Sequence, residues 1–163
     1  MTIVIFEDDE SNLAAYDLQK TILGRKGLEV VILTNVVDGF RWLVDNAGNL
    51  ADVKSFVFDY DLSKGYPEVQ ETAAELADIR YSSNNSLPLL LEIRRILSEK
   101  GLSCKLIANS GTNNLDLLRE GCKDEVIPPK DFNQILFHSL SGQELETVVG
   151  GERLKNLRGK IFA

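Results

Sequence analysis

Short apolar runs alternate along the chain with longer stretches whose hydrophobic residues recur at helical spacing. The runs are Ile3 to Phe6, Val30 to Leu33, Phe56 to Phe58, Leu106 to Ala108 and Val126 to Ile127. Runs this short and continuous predict strands buried on both faces, and the amphipathic stretches between them predict the covering helices. The first helix carries Leu13, Tyr16, Leu18, Ile22 and Leu23 on or near one face and is expected to stop at Gly24, in a left-handed cap. Phe40, Leu43 and Val44 mark a second helix, with Trp42 packed nearby. Leu90, Ile93, Arg94 and Leu97 mark another over Leu87 to Leu97, with Pro88 suited to its first turn and Gly101 to its C′ position. A short helix is expected from Asn133 to Leu140. The alternation implies an α/β fold with five parallel strands and helices on both faces.

One connection is too long for this plan. Asp59 and Ser110 stand 51 positions apart, whereas one helix with two ordinary loops needs roughly 20 to 24 residues. With the crossover helix at Leu87 to Leu97, the surplus is Tyr66 to Ser86, which holds a weak helical pattern at Pro67 to Ile79 and then the turn-rich Tyr81-Ser-Ser-Asn-Asn-Ser86. Residues 1–141 otherwise read as one domain. Residues 142–163 read as a C-terminal extension or tail, punctuated by Gly142 and Gly150-Gly151 and carrying Arg153, Lys155, Arg158 and Lys160. That basic end is expected to be a solvated tail or edge helix, or else an arm that docks a partner.

Charge narrows the partners. The 163-residue chain has a formal net charge of −7, a poor match for DNA or an anionic membrane, both of which select Lys/Arg patches. No apolar run approaches the roughly 20 residues of a membrane span. The N-terminus lacks the basic region of a signal peptide, so a cytoplasmic protein is expected. Cys104 and Cys122 have no CxxC partner and His138 is the single histidine, which makes a zinc site, a disulfide framework or histidine-assisted nucleophilic catalysis implausible.

In an open parallel sheet the site forms beyond the carboxyl ends of the strands. The residues there are Glu7-Asp8-Asp9 after the first run, Asp59-Tyr60-Asp61 after the third, Asn109-Ser110-Gly111 after the fourth and Pro128-Pro129-Lys130 after the fifth. Converging carboxylates repel one another and need a cation, and an all-oxygen shell suits Mg²⁺. Taken singly, an acidic pair after a strand is often no more than a helix cap. An acid cluster with a lysine and a hydroxyl aimed at one point is suited to stabilising a phosphoryl group, and one carboxylate could itself become the acyl phosphate.

These residues, in this order, resemble the receiver domain of two-component response regulators over roughly residues 2 to 140. The likeness rests on Ile-Val-Ile-Phe-Glu-Asp-Asp-Glu, Phe-Val-Phe-Asp-Tyr-Asp-Leu, Ile-Ala-Asn-Ser-Gly and Lys130. It implies a flavodoxin-like doubly wound sheet of strand order 2-1-3-4-5. It implies Asp59 as phosphoacceptor and as a metal ligand, Asp8 as a direct Mg²⁺ ligand, Glu7 reaching the metal through water, and Asp61 contributing its backbone carbonyl. Ser110 and Lys130 are expected on the phosphoryl oxygens. The implied donor is a sensor histidine kinase or a histidine phosphotransfer protein, with a downstream protein as target and no enzymatic turnover.

The sequence departs from the family at three places. Asp131 follows Lys130 where proline is usual, and Pro128 and Pro129 precede it. Ile127 stands where an aromatic usually couples to the hydroxyl, with Phe132 as a substitute. The surplus at 66–86 adjoins the phosphoacceptor strand, so it is expected either to tune access to Asp59 or to be decoration. Two rival functions remain. A pseudo-receiver would keep the fold without phosphotransfer. A phosphatase resembling the haloacid dehalogenase family would use Asp59-Tyr60-Asp61-Leu62-Ser63, although that motif normally lies on the first strand and no acidic pair follows Lys130.

Overall fold

Four parallel strands form the centre of the computed structural model, which describes residues 1–64, 84–111, 115–122 and 131–161. They are β1 (Thr2–Phe6), β2 (Glu29–Leu33), β3 (Val53–Phe58) and β4 (Lys105–Ala108), in the order β2-β1-β3-β4. The expected fifth strand at Val126 to Ile127 lies outside the described residues, as do Lys130 and the helical pattern at Pro67 to Ile79.

Alternation along β1 sorts the core into two layers. Ile3 and Ile5 point to one side, where they meet Tyr16 and Leu23 of α1 (Glu10–Gly24) and Ile135 and Leu136 of α5 (Phe132–Ser139). Val4 and Phe6 point to the other, against Phe40 and Leu43 of α2 (Val36–Asp45), Leu89, Leu90 and Ile93 of α3 (Leu87–Lys100) and Leu118 of α4 (Leu115–Gly121). Phe6 stacks on Phe58 with ring centroids 5.1 Å apart, and Trp42 meets Phe56 edge-on at 6.2 Å. Both sides of β1 are therefore dry, as a continuous apolar run requires.

Several details differ from the periodic reading. Gly24 closes α1 as an ordinary helical residue, and the left-handed glycine is Gly27 at φ 82°, three residues on. Gly101 does cap α3 in the left-handed conformation, at φ 63°. Leu18 and Val44 occupy the flanks of their helices and are 63% and 71% exposed. Asp131 is the N-cap of α5 and accepts a hydrogen bond from the Gln134 backbone N–H at 3.2 Å. Its carboxylate oxygen thereby satisfies one of the backbone donors left free at the start of the helix.

The C-terminal extension is folded. It makes α6 (Gly142–Val149) and α7 (Gly151–Ile161), and Leu145, Val148, Val149 and Leu154 are buried in the same core layer as α1. Ser141 and Glu144 form a reciprocal capping box at the start of α6, while the basic residues of α7 stay on its exposed side. The described residues on either side of the surplus segment are joined to each other. The Leu62 N–H donates to the Asn84 carbonyl at 2.8 Å and the Ser86 N–H to the Tyr60 carbonyl at 2.9 Å, an antiparallel bridge centred on Asp61 and Asn85.

Candidate functional site

The carboxyl ends of the three neighbouring strands β1, β3 and β4 bring Glu7, Asp8, Asp59 and Ser110 together. Parallel pairing continues one step past the strands: the Asp59 N–H donates to the Phe6 carbonyl and the Asn109 N–H to the Phe58 carbonyl, each at 2.9 Å. That step fixes the backbone beneath each acid. Glu7, Asp8 and Asp59 each offer an oxygen, and these lie within 4.8 Å of one another. Glu7 is 3% exposed and Asp8 6%, so the repulsion is only weakly screened by water.

Proton sharing relieves part of that repulsion. Burial pushes the Glu7 carboxyl up to about 7, with the nearby Asp59 charge adding to the rise. Burial also raises Asp59, against hydrogen bonds from Ser110, Glu7 and the Tyr60 backbone. The two carboxyls are hydrogen-bonded to each other, which requires one proton shared between them, and burial of both favours holding it. Glu7 also accepts from the Asp9 backbone N–H and from Asn12 Nδ2, each at 2.9 Å. Asp8 Oδ2 accepts from the Lys64 backbone N–H at 2.6 Å.

A small hard cation fits this donor set. Three buried or half-buried carboxylate oxygens converge, all hard ligands, and like charges are held together by a single proton that a divalent ion would replace. Asp61 stands apart: its side chain is exposed, accepts from the Ser63 N–H at 2.9 Å, and is held below the usual carboxylate range chiefly by its hydrogen bonds from Ser63. The bridge at the neck uses the Tyr60 carbonyl and the Leu62 N–H, leaving the Asp61 carbonyl outside that pair of bonds. Lys130 lies outside the described residues.

Two polar residues, Asn12 and Tyr16, belong to the site's support and are not evident from strand ends alone. Asn12 and Tyr16 sit one turn apart on the buried stripe of α1, and Asp9 caps that helix by accepting from the Ser11 N–H. Asn12 holds Glu7, and Tyr16 accepts from Asn109 Nδ2 at 3.4 Å. Tyr16 reads as core in the sequence, and by burial it is, at 1% exposed. Its hydroxyl is the exception: burial, with Glu7 and Asp59 nearby, raises its pKa far above the usual phenol range, so it stays protonated. The available signal is the i, i+4 spacing of two polar residues on an otherwise apolar stripe directly after an acidic strand end.

No family model and no curated protein matches the chain. Among solved structures, one described as a yeast Spc42 trimeric coiled coil, amino acids 181–211, fused to another structure, is 15% identical and aligns over 99% of this chain and 82% of that one, with a TM-score of 0.44. A likeness at that level carries no argument about fold or function.

Proposed function

We propose that the chain is a phosphoacceptor receiver of a two-component phosphorelay, built on a flavodoxin-like sheet whose fifth strand is Val126 to Ile127. The observation that carries the reading is the junction of Glu7, Asp8 and Asp59, with Ser110 hydrogen-bonded to Asp59, on three adjacent strand ends. Asp59 is the nucleophile. Its carboxylate oxygen attacks the phosphorus of a phosphohistidine; the P–O bond forms as the P–N bond breaks, and the leaving imidazole nitrogen keeps the electron pair and takes a proton from water.

Glu7, Asp8, Asp59 and the Asp61 carbonyl would hold Mg²⁺, which when bound neutralises charge among the acids and the phosphoryl oxygens. Ser110 donates its hydroxyl to one phosphoryl oxygen and Lys130 contacts another. Phosphorylation adds about −1.5 to −2 of charge at one strand end, the trigger for recognition by a downstream protein. The donor is a sensor histidine kinase or a histidine phosphotransfer protein, the setting is cytoplasmic, and no turnover of a separate substrate is involved.

The exposed position of Asp61 favours this reading over the phosphatase, in which a second aspartate two residues after the nucleophile would face the phosphoryl group. Incubation with Mg²⁺ and a small phosphodonor, followed by intact-mass measurement, tests the proposal. A Mg²⁺-dependent phosphoryl adduct on the wild type, absent from Asp59→Asn, is expected. No adduct with metal bound would establish the pseudo-receiver, and turnover of phosphate esters the phosphatase.

A further inference from the structure

Ser110 stands one residue beyond the last backbone pairing of β4, where the sheet no longer fixes it. What precedes it is held twice. The Asn109 backbone N–H is bonded to Phe58, and the Asn109 side-chain amide reaches back across the sheet to the Tyr16 hydroxyl at 3.4 Å. Asn109 is 4% exposed, and its Oδ1 is buried with no partner among the described residues, so the bond to Tyr16 is the polar contact that fixes the amide's rotamer there. Burial of an amide oxygen without a partner is costly, so the amide is held in this rotamer by what its nitrogen touches.

Tyr16 is itself well fixed. Its ring lies against Phe132 at the start of α5, with centroids 5.5 Å apart and planes inclined by 51°. Phe132 in turn is 7% exposed, in the core layer shared with α6 and α7. The phenol is thus clamped by packing on one side and aims its oxygen at the strand end on the other.

We infer that Tyr16 is a positioning residue for phosphoryl transfer to Asp59, acting through Asn109 to hold the Ser110 hydroxyl where it meets the transferred group. The inference rests on the receiver reading above. It predicts an effect on the chemical step and not on metal binding, because Glu7 and Asp8 take their positions from Asn12, the Asp9 N–H and the Lys64 N–H instead.

Tyr16→Phe removes one oxygen and keeps the ring. At saturating small phosphodonor with Mg²⁺, the first-order rate of adduct formation should fall about tenfold, the scale of a displaced but present hydrogen-bond donor. The half-saturating phosphodonor concentration and the Mg²⁺ affinity by calorimetry should stay at wild-type values. Asn109→Ser, which leaves the phenol and its ring contact in place, should show the same loss and serves if Tyr16→Phe does not fold. The double variant should be no slower than either single one, since both break one link. Independent, multiplying losses, or a Tyr16→Phe rate within twofold of wild type, would overturn the inference and leave the receiver reading standing. A wild type that never forms the adduct would overturn both.

Discussion

Replacing Glu7 by glutamine should make the protein more stable at pH 8 and no more stable, or slightly less, at pH 5. In the folded chain burial lifts this carboxyl from 4.5 to about 7, so between those values the folded state holds a proton that the unfolded chain has released. Stability from the group is complete below pH 4.5 and is lost as pH rises through about 7. At ~1.36 kcal/mol per tenfold change in proton concentration, the loss by pH 8 is about 3 kcal/mol. Glutamine resembles the protonated acid and can donate to Asp59. It keeps one carbonyl for two donors, the Asp9 N–H and Asn12 Nδ2, and the lost contact costs about 1 kcal/mol. The net gain at pH 8 is therefore about 2 kcal/mol, and it vanishes or reverses near pH 5. Urea unfolding in EDTA at both pH values measures it. Wild-type Mg²⁺ affinity should also weaken below pH 7, as the proton competes for the same oxygens. A Glu7→Gln minus wild-type difference that is flat from pH 5 to 8 would refute the reasoning.

Three further substitutions probe the frame around the site. Leu145→Ala, in the buried face of α6, should lower stability by about 2 to 5 kcal/mol in urea unfolding; a change below 0.5 kcal/mol, roughly the size of a surface substitution, would mean the extension does not contribute to the core. Ser55→Ala removes one partner of the buried Ser55–Ser139 hydroxyl pair, 2.6 Å apart between β3 and α5, and should cost about 1 to 3 kcal/mol, with much of it recovered in the double alanine variant. Asp131→Ala should cost about 1 kcal/mol through the lost cap, read as faster amide exchange in the first turn of α5 with β1 unaffected.

Much of the sheet is legible in the sequence because β1 has no polar residue between Thr2 and Glu7, and nothing but a doubly covered strand suits such a run. β3 is half hidden for the opposite reason. Lys54 and Ser55 interrupt its hydrophobic pattern, and their fit depends on Glu144 and Ser139, partners more than 80 positions away. Leu18 and Val44 mislead in the other direction, since a helix's apolar stripe has edges that periodicity does not resolve. At the site, Glu7, Asp8, Asp59 and Ser110 are legible from strand ends, whereas Asn12 lies within a helix and reveals its role only through its hydrogen bond to Glu7. The extension is masked by its own punctuation: Gly150-Gly151 and four basic residues obscure Leu145, Val148, Val149 and Leu154, whose burial needs α1 already in place.

The bridge at Tyr60–Leu62 and Asn84–Ser86 gives the chain a seam. Residues 60–62 and 84–86 are bonded to each other just before α3, so the seam itself sets where that helix begins. Doubling the length of a loop closed by such a seam adds only about 0.6 kcal/mol of closure entropy. Sequence changes between the two sides of the seam can therefore leave the acids' geometry in place, which makes the seam a natural graft point for new specificity.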